Sequence, residues 1–129
     1  MQLTTNFNLA EFECRDGSSP PPELAPRLEL LAVQLQILRD LIGAPIRIVS
    51  GYRSPEYNAT LKASKPTSQH VQARAADIRA DGVDVEELAT ICDELQESGR
   101  WIMGGLGVYP GPSGFVHVDT RGTKARWRG

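Results

Sequence analysis

The sequence predicts an α+β fold in a single domain, and three observations predict it. Two stretches, Glu23 to Ile42 and Val85 to Leu95, carry apolar residues at helical spacing. Four short runs, Ile46–Val49, Ala75–Ile78, Gly104–Tyr109 and Phe115–Asp119, read as strands. The strands gather late in the chain in antiparallel-looking pairs, which favours a small antiparallel sheet with packed helices over a doubly wound sheet. A chain of 129 residues supports one core and is too short for two.

Each element has a local reason. Residues 1–22 form an entry segment with a helical turn near Leu9 to Phe12. Asp16 to Pro22 is a loop, because consecutive prolines remove donors and fix φ. In the first long helix Leu24, Leu28, Leu31, Leu35 and Leu38 make one apolar stripe. Glu23 suits the positive end of its dipole, and Pro26 is tolerated in its first turn. Gly43 and Pro45 end it. It is a scaffold helix with no assigned chemistry.

After the strand at Ile46–Val49, Ser50 to Pro55 is a turn into a helix that runs to about Ala63, with Ser54 as N-cap and Pro55 at the first position. Lys62 to Thr67 is a loop. Ala75–Ile78 reads as a strand because Asp81-Gly82 marks a turn after it; a helix continuing from His70 through the alanines is the alternative. Val85, Leu88, Ile91 and Leu95 line one face of the second long helix, which Gly99 closes. Gly104 to Gly107 lacks the Gly-Lys-Ser/Thr ending of a phosphate loop and suggests close backbone approach within a sheet. Pro110 to Gly114 turns the chain into the last strand. Residues 120–129 are a basic tail whose Lys124, Arg126 and Arg128 read as a solvated C-terminus, or as a contact for anionic polymer.

Composition narrows the function classes. The apolar share is 40%, the charged share 23% and the net charge −2, which suits a globular domain and leaves no basic field for nucleic acid. No apolar run approaches the roughly 18 residues of a membrane span. Met1 to Phe7 has neither a basic nor an apolar signal region. The chain is therefore expected to stay cytoplasmic, to leave by another route, or to have lost a leader. Cys14 and Cys92 are far apart and outside any Cys-x-x-Cys pair, so two buried free thiols are favoured over a disulfide.

The chemistry gathers around the two histidines. His70 precedes Asp77 by seven residues, and His117 precedes Asp119 by two. Two imidazoles and a carboxylate, His70, His117 and Asp77, suffice for a catalytic zinc with one position left to water. On a strand Phe115, His117 and Asp119 share one face, and Val116 and Val118 share the other. Asp119 then either orients a neighbouring imidazole or acts as general base on water. Arg53 lies in a turn after a strand, where it either recognises a carboxylate or oxyanion or ties its own loop together.

Three ordered motifs carry a resemblance. Ser50-Gly-Tyr-Arg-Ser-Pro, Ser68-x-His70-x-x-Ala-x-Ala-x-Asp77 and Phe115-Val-His117-Val-Asp119-Thr-Arg-Gly together resemble the zinc D-Ala-D-Ala carboxypeptidase family. That family includes related peptidoglycan endopeptidases and shares the hedgehog/DD-peptidase fold. The likeness is to its short single-domain branch and spans residues 5–128. It implies one zinc ion on His70, Asp77 and His117, substrate binding or carbonyl polarisation by Arg53, and substrate contacts at Ser68 and Tyr109. It further implies hydrolysis of a peptide bond next to a D-amino acid in the stem or cross-link of peptidoglycan. Nothing in the sequence forbids a monomer, which is the expected state. A carboxypeptidase and an endopeptidase are both compatible with it.

Two positions depart from the pattern. Ala73 stands where many relatives have glycine, and Gly114 where several have a catalytic glutamate. With that glutamate absent, Asp119 is the candidate base. The same absence supports a second reading, a zinc-stabilised wall-binding module without turnover. A third is a component of a phage tail or injection device. The lack of a signal region suits an endolysin or such a device, cytoplasmic until released, better than an exported housekeeping enzyme at the cell wall.

Overall fold

The computed structural model describes residues 1–61 and 65–129. Helix α1 spans Ala25–Ile42, entered through a 3-10 turn at Pro22–Leu24. Strand β1 is Ile46–Ser50, α2 Pro55–Ala59, β2 Ala75–Ala80, α3 Val85–Glu97, β3 Gly105–Tyr109, β4 Phe115–Asp119 and β5 Ala125–Arg128. The strands form one sheet in the order β1-β2-β4-β3-β5. The first four pair antiparallel, and β5 joins β3 in parallel.

The helix ends follow the chemistry of their residues. Gly43 takes φ 66°, a left-handed cap that alanine would resist, and its N–H donates to the Arg39 carbonyl at 3.0 Å. Ser54 caps α2 by accepting from the Tyr57 N–H, and Asp84 caps α3 by accepting from Glu86. Helix α2 ends at Ala59, short of the expected Ala63, because Thr60 and Leu61 turn the chain back onto Tyr57 and Asn58. The rest of that expectation, and the start of the loop expected at Lys62 to Thr67, fall on residues 62–64, outside the described residues.

Alternation separates the two faces of the sheet. Ala76 and Ile78 of β2, Leu106 and Val108 of β3, and Val116 and Val118 of β4 enter the core. There they join Leu28, Leu31, Leu35 and Leu38 of α1 and Leu88, Cys92 and Leu95 of α3. Trp101 ties α1 to the connection after α3: its indole N–H donates to the Gln34 carbonyl at 2.7 Å. Cys14 and Cys92 are both buried and free, and burial pushes the Cys92 thiol well above its ordinary range.

Two expectations change. Residues 75–80 settle as a strand, not as a helix continued from His70, because β1 and β4 flank and pair with both edges of the segment. The basic tail is not a solvated C-terminus: residues 125–128 are the fifth strand. Its arginines lie on the α3 side of the sheet and meet the acidic face of that helix, with Arg126 Nε 3.0 Å from Asp93 and Arg128 bound to both oxygens of Glu86. Its Trp127 points to the other face.

Leu35 is fully buried at the centre of the α1 stripe. Leu35→Ala should lower the unfolding free energy by about 2–5 kcal/mol, through lost transfer energy and the residual cavity. Urea denaturation of the two proteins measures the difference.

Candidate metal centre and its cavity

One register row crosses the sheet on the face away from the core. Asp77 of β2 pairs with His117 of β4, His117 with Gly107 of β3, and Gly107 with Trp127 of β5. His70 reaches the same place from a turn. Its ring Nδ1 lies 2.8 Å from the Gly51 carbonyl, and its own carbonyl accepts from the Arg53 N–H. Ser68 Oγ accepts from the His70 N–H at 3.2 Å and so braces that turn. The turn closes through Ala73 at φ 58°, a conformation that favours glycine.

The three side chains converge on one point. His70 Nε2 is 3.2 Å and His117 Nδ1 3.1 Å from the same oxygen of Asp77. One ligand atom from each residue lies within 4.8 Å of the other two, close enough for a single cation to touch all three. The donor chemistry fits. A carbonyl can only accept, so His70 donates from Nδ1 to Gly51; in the neutral ring Nε2 then carries the lone pair a metal needs, while in the protonated ring it donates to Asp77. His117 Nε2 lies 2.8 Å from Asp119 Oδ2 and donates there, which turns Nδ1 towards Asp77. This is the arrangement in which a ligating histidine is fixed by a partner on its other nitrogen.

Asp119 stands behind His117. Its side chain has no exposed surface, and it receives hydrogen bonds from the Gly105 N–H and from Arg121 Nε and Nη2 as well as from His117. It does not line the cavity over the cluster. A general base on water would have to reach that cavity, whereas orienting His117 needs only the contact at Nε2. Gly105 makes this possible, since a Cβ there would meet Asp119 Oδ2 at 2.3 Å. Gly114 has a similar steric reason. A side chain there would run into the Tyr109 carbonyl at 2.2 Å, so no carboxylate fits that position without moving the turn.

The cavity above the cluster has a volume of about 690 Å³. Arg53, Ser68 and Tyr109, all singled out in the sequence, lie on its wall, as do the three cluster residues. Arg53 makes one long ion pair, Nη2 to Asp77 Oδ2 at 3.7 Å, and its buried Nε has no partner among the described residues. Tyr109 stacks on Phe115 with centroids 4.6 Å apart. The sequence reading missed Lys65, Thr67, Gln69, Arg121 and Trp127, which also line the wall. Trp127 lies in a segment with the composition of a tail, so no local pattern places it at the site. Among the described residues, Asp77 is the one carboxylate on the wall.

Charge in the cluster is shared. Burial pushes the Asp77 carboxyl up, but the hydrogen bonds to His117 and His70 outweigh it and hold the group well below the usual carboxylate range. Burial likewise opposes charge on Asp119, and His117, Arg121 and the Gly105 N–H outweigh it in the same direction. Burial opposes charge on His117, yet its bonds to Asp119 and Asp77 raise its pKa above 6.5. A raised histidine pKa stabilises the fold below the unfolded value and loses that contribution as pH rises through the folded one. With chelator present, His117→Asn should therefore cost more stability at about pH 6, below the unfolded value, than at an alkaline pH above the folded one. Thermal unfolding at the two pH values reads the difference, and an equal loss at both would contradict the charge sharing.

Comparison with known proteins gives the family. A family model described as Peptidase M15 matches residues 3–119. The chain is 31% identical over 111 residues to the probable peptidoglycan L,D-endopeptidase MepK of Haemophilus influenzae, covering 83% of this chain and 55% of that protein. It is 32% identical over 100 residues to the peptidoglycan L,D-endopeptidase MepK of Escherichia coli K12, covering 73% of this chain and 50% of that protein. The chain thus spans about half the length of these relatives. The family match takes in β1, β2, β3 and β4 and every residue of the His70, Asp77 and His117 cluster, and the chain belongs to the peptidase M15 family.

Proposed function

We propose that this chain is a zinc-dependent peptidase that cuts a peptide bond in the stem or cross-link of bacterial peptidoglycan, beside a D-amino acid. The observation that carries the reading is the convergence of His70 Nε2, Asp77 and His117 Nδ1 on one point in the wall of an open cavity. The names of the relatives support the choice of peptidoglycan.

His70, Asp77 and His117 would hold one zinc ion. A zinc ion held there supplies Lewis acidity, acidifying water and polarising a carbonyl oxygen. The protein's own groups do the rest. Gly51 and Asp119 keep the two imidazoles in the tautomers that present the bare nitrogens. Arg53 offers N–H donors to the substrate's carbonyl or carboxylate oxygen and stabilises negative charge that develops there. Tyr109 and Phe115 give the substrate an apolar wall, and Ser68 holds the turn that carries His70.

A second reading is a zinc-stabilised module that binds wall peptides without cutting them. The lack of a further carboxylate on the described wall favours it. Incubating the protein with isolated peptidoglycan, with and without chelator, separates the two. Fragments that disappear on chelation, identified by mass spectrometry, are the expected result, and their masses name the bond. An intact wall from a zinc-loaded protein would leave the binding module.

Two substitutions sharpen the roles. Arg53→Ala should lower kcat/KM on a soluble wall peptide by about 100-fold or more, in the range of losing one oxyanion donor. Asp119→Asn should weaken zinc binding by about 10- to 100-fold and recover turnover in excess zinc, as befits a group that orients a ligand. If turnover stays lost at saturating zinc, Asp119 handles a proton after all.

A further inference from the structure

Trp127 stands at the end of the row that carries Asp77 and His117. The residue between them, Gly107, has no side chain, and the indole fills the space where one would be. A Cβ on Gly107 would meet the Trp127 ring at 2.3 Å. Through this gap the indole reaches past its neighbouring strand and contacts the His117 ring, with centroids 5.0 Å apart and planes at 48°.

Two further contacts fix the indole. Its Nε1 donates to Tyr109 Oη at 2.8 Å. The Arg121 guanidinium lies over it at 5.4 Å from the ring centroid while binding Asp119 through Nε and Nη2. Asp119 in turn accepts from His117 Nε2. His117, Asp119, Arg121 and Trp127 therefore close a circuit of side chains around one imidazole. Asp119 fixes the direction of the ring in its own plane. The contacts at the two ring nitrogens act in the ring plane, and the indole, tilted at 48° against the ring, opposes rotation out of it.

We propose that Trp127, delivered by β5 through the gap at Gly107, is a positioning residue that holds the His117 imidazole with Nδ1 facing Asp77. The proposal rests on the metal reading above. It makes the C-terminal strand part of the site, and it explains why β3 carries glycine at a position flanked by two large rings. Alanine at Gly107 should displace the indole and loosen His117 without touching any ligand atom.

The test is a double-mutant cycle on the full chain, read as cobalt(II) affinity from the visible absorption of the bound ion. Trp127→Ala and Gly107→Ala should each weaken binding by about 10-fold or more, as changes to groups that orient a ligand do. The double variant should bind no more weakly than Trp127→Ala alone, since Gly107→Ala acts only by moving the indole. Trp127→Phe should recover most of the affinity. Thermal unfolding in chelator identifies temperatures at which every variant is folded, so that loss of fold is not counted as loss of metal.

Should Trp127→Ala fail to fold, the wild type and Trp127→Phe still decide. Bound cobalt should quench the part of the tryptophan emission that Trp127→Phe removes. Unchanged affinity in Trp127→Ala, additive losses in the double variant, or no quenching of that emission would overturn the role of Trp127 while leaving the metal site standing. A wild-type protein that binds no cobalt would overturn the metal reading itself, and the role of Trp127 with it.

Discussion

A buried carboxylate between two imidazoles is the constraint on which the rest of the structure depends. An isolated ionised Asp77, buried at the floor of its cavity, would cost several kcal/mol, and only close, hydrogen-bonded partners offset that cost. His70 and His117 share one of its oxygens, and Arg53 stands beyond the other. None of these partners is a sequence neighbour of Asp77. The chain must therefore fix a turn, three strands and their register before the carboxylate is satisfied. A slip of one residue between β2 and β4 would put His117 into the core and a valine beside Asp77.

The supports lie in layers behind that cluster. Val116 and Val118 anchor β4 in the core, which points His117 and Asp119 to the opposite face. Gly105 and Gly107 on β3 leave space for Asp119 and for Trp127. Arg121 spans the two, gripping Asp119 and covering Trp127. The glycines of β3 thus act through the side chains they omit. On the other edge, Gly51 brings its carbonyl to His70 while its own Cα lies so close to Phe12 that a Cβ would meet that residue's backbone at 2.8 Å.

Much of this was legible in the sequence, for identifiable reasons. The α1 stripe, the cap at Ser54 and the alternation in Phe115–Asp119 are local patterns, and each formed close to where its residues predict. With two histidines in the chain, the choice of His70 and His117 had no competitors. What was not legible is non-local. The parallel pairing of β5 with β3 comes with contacts between Arg126 and Asp93 and between Arg128 and Glu86, 33 and 42 residues apart. A four-residue strand of alternating arginines has the composition of a tail. The place of Asp119 was ambiguous for the same kind of reason. Period-two alternation put it on the right face, while only the third dimension shows Arg121 and Gly105 enclosing it.

The central claim is that one zinc ion sits among His70, Asp77 and His117, and that the hydrogen bonds behind the imidazoles select the ligand atoms. Crystals grown with zinc, with diffraction recorded on both sides of the zinc absorption edge, test it most directly. The account predicts a single anomalous peak at about 2.0–2.1 Å from Nε2 of His70 and from Nδ1 of His117, with an oxygen of Asp77 at a similar distance. A peak on Nε2 of His117, or none between the three side chains, would contradict it.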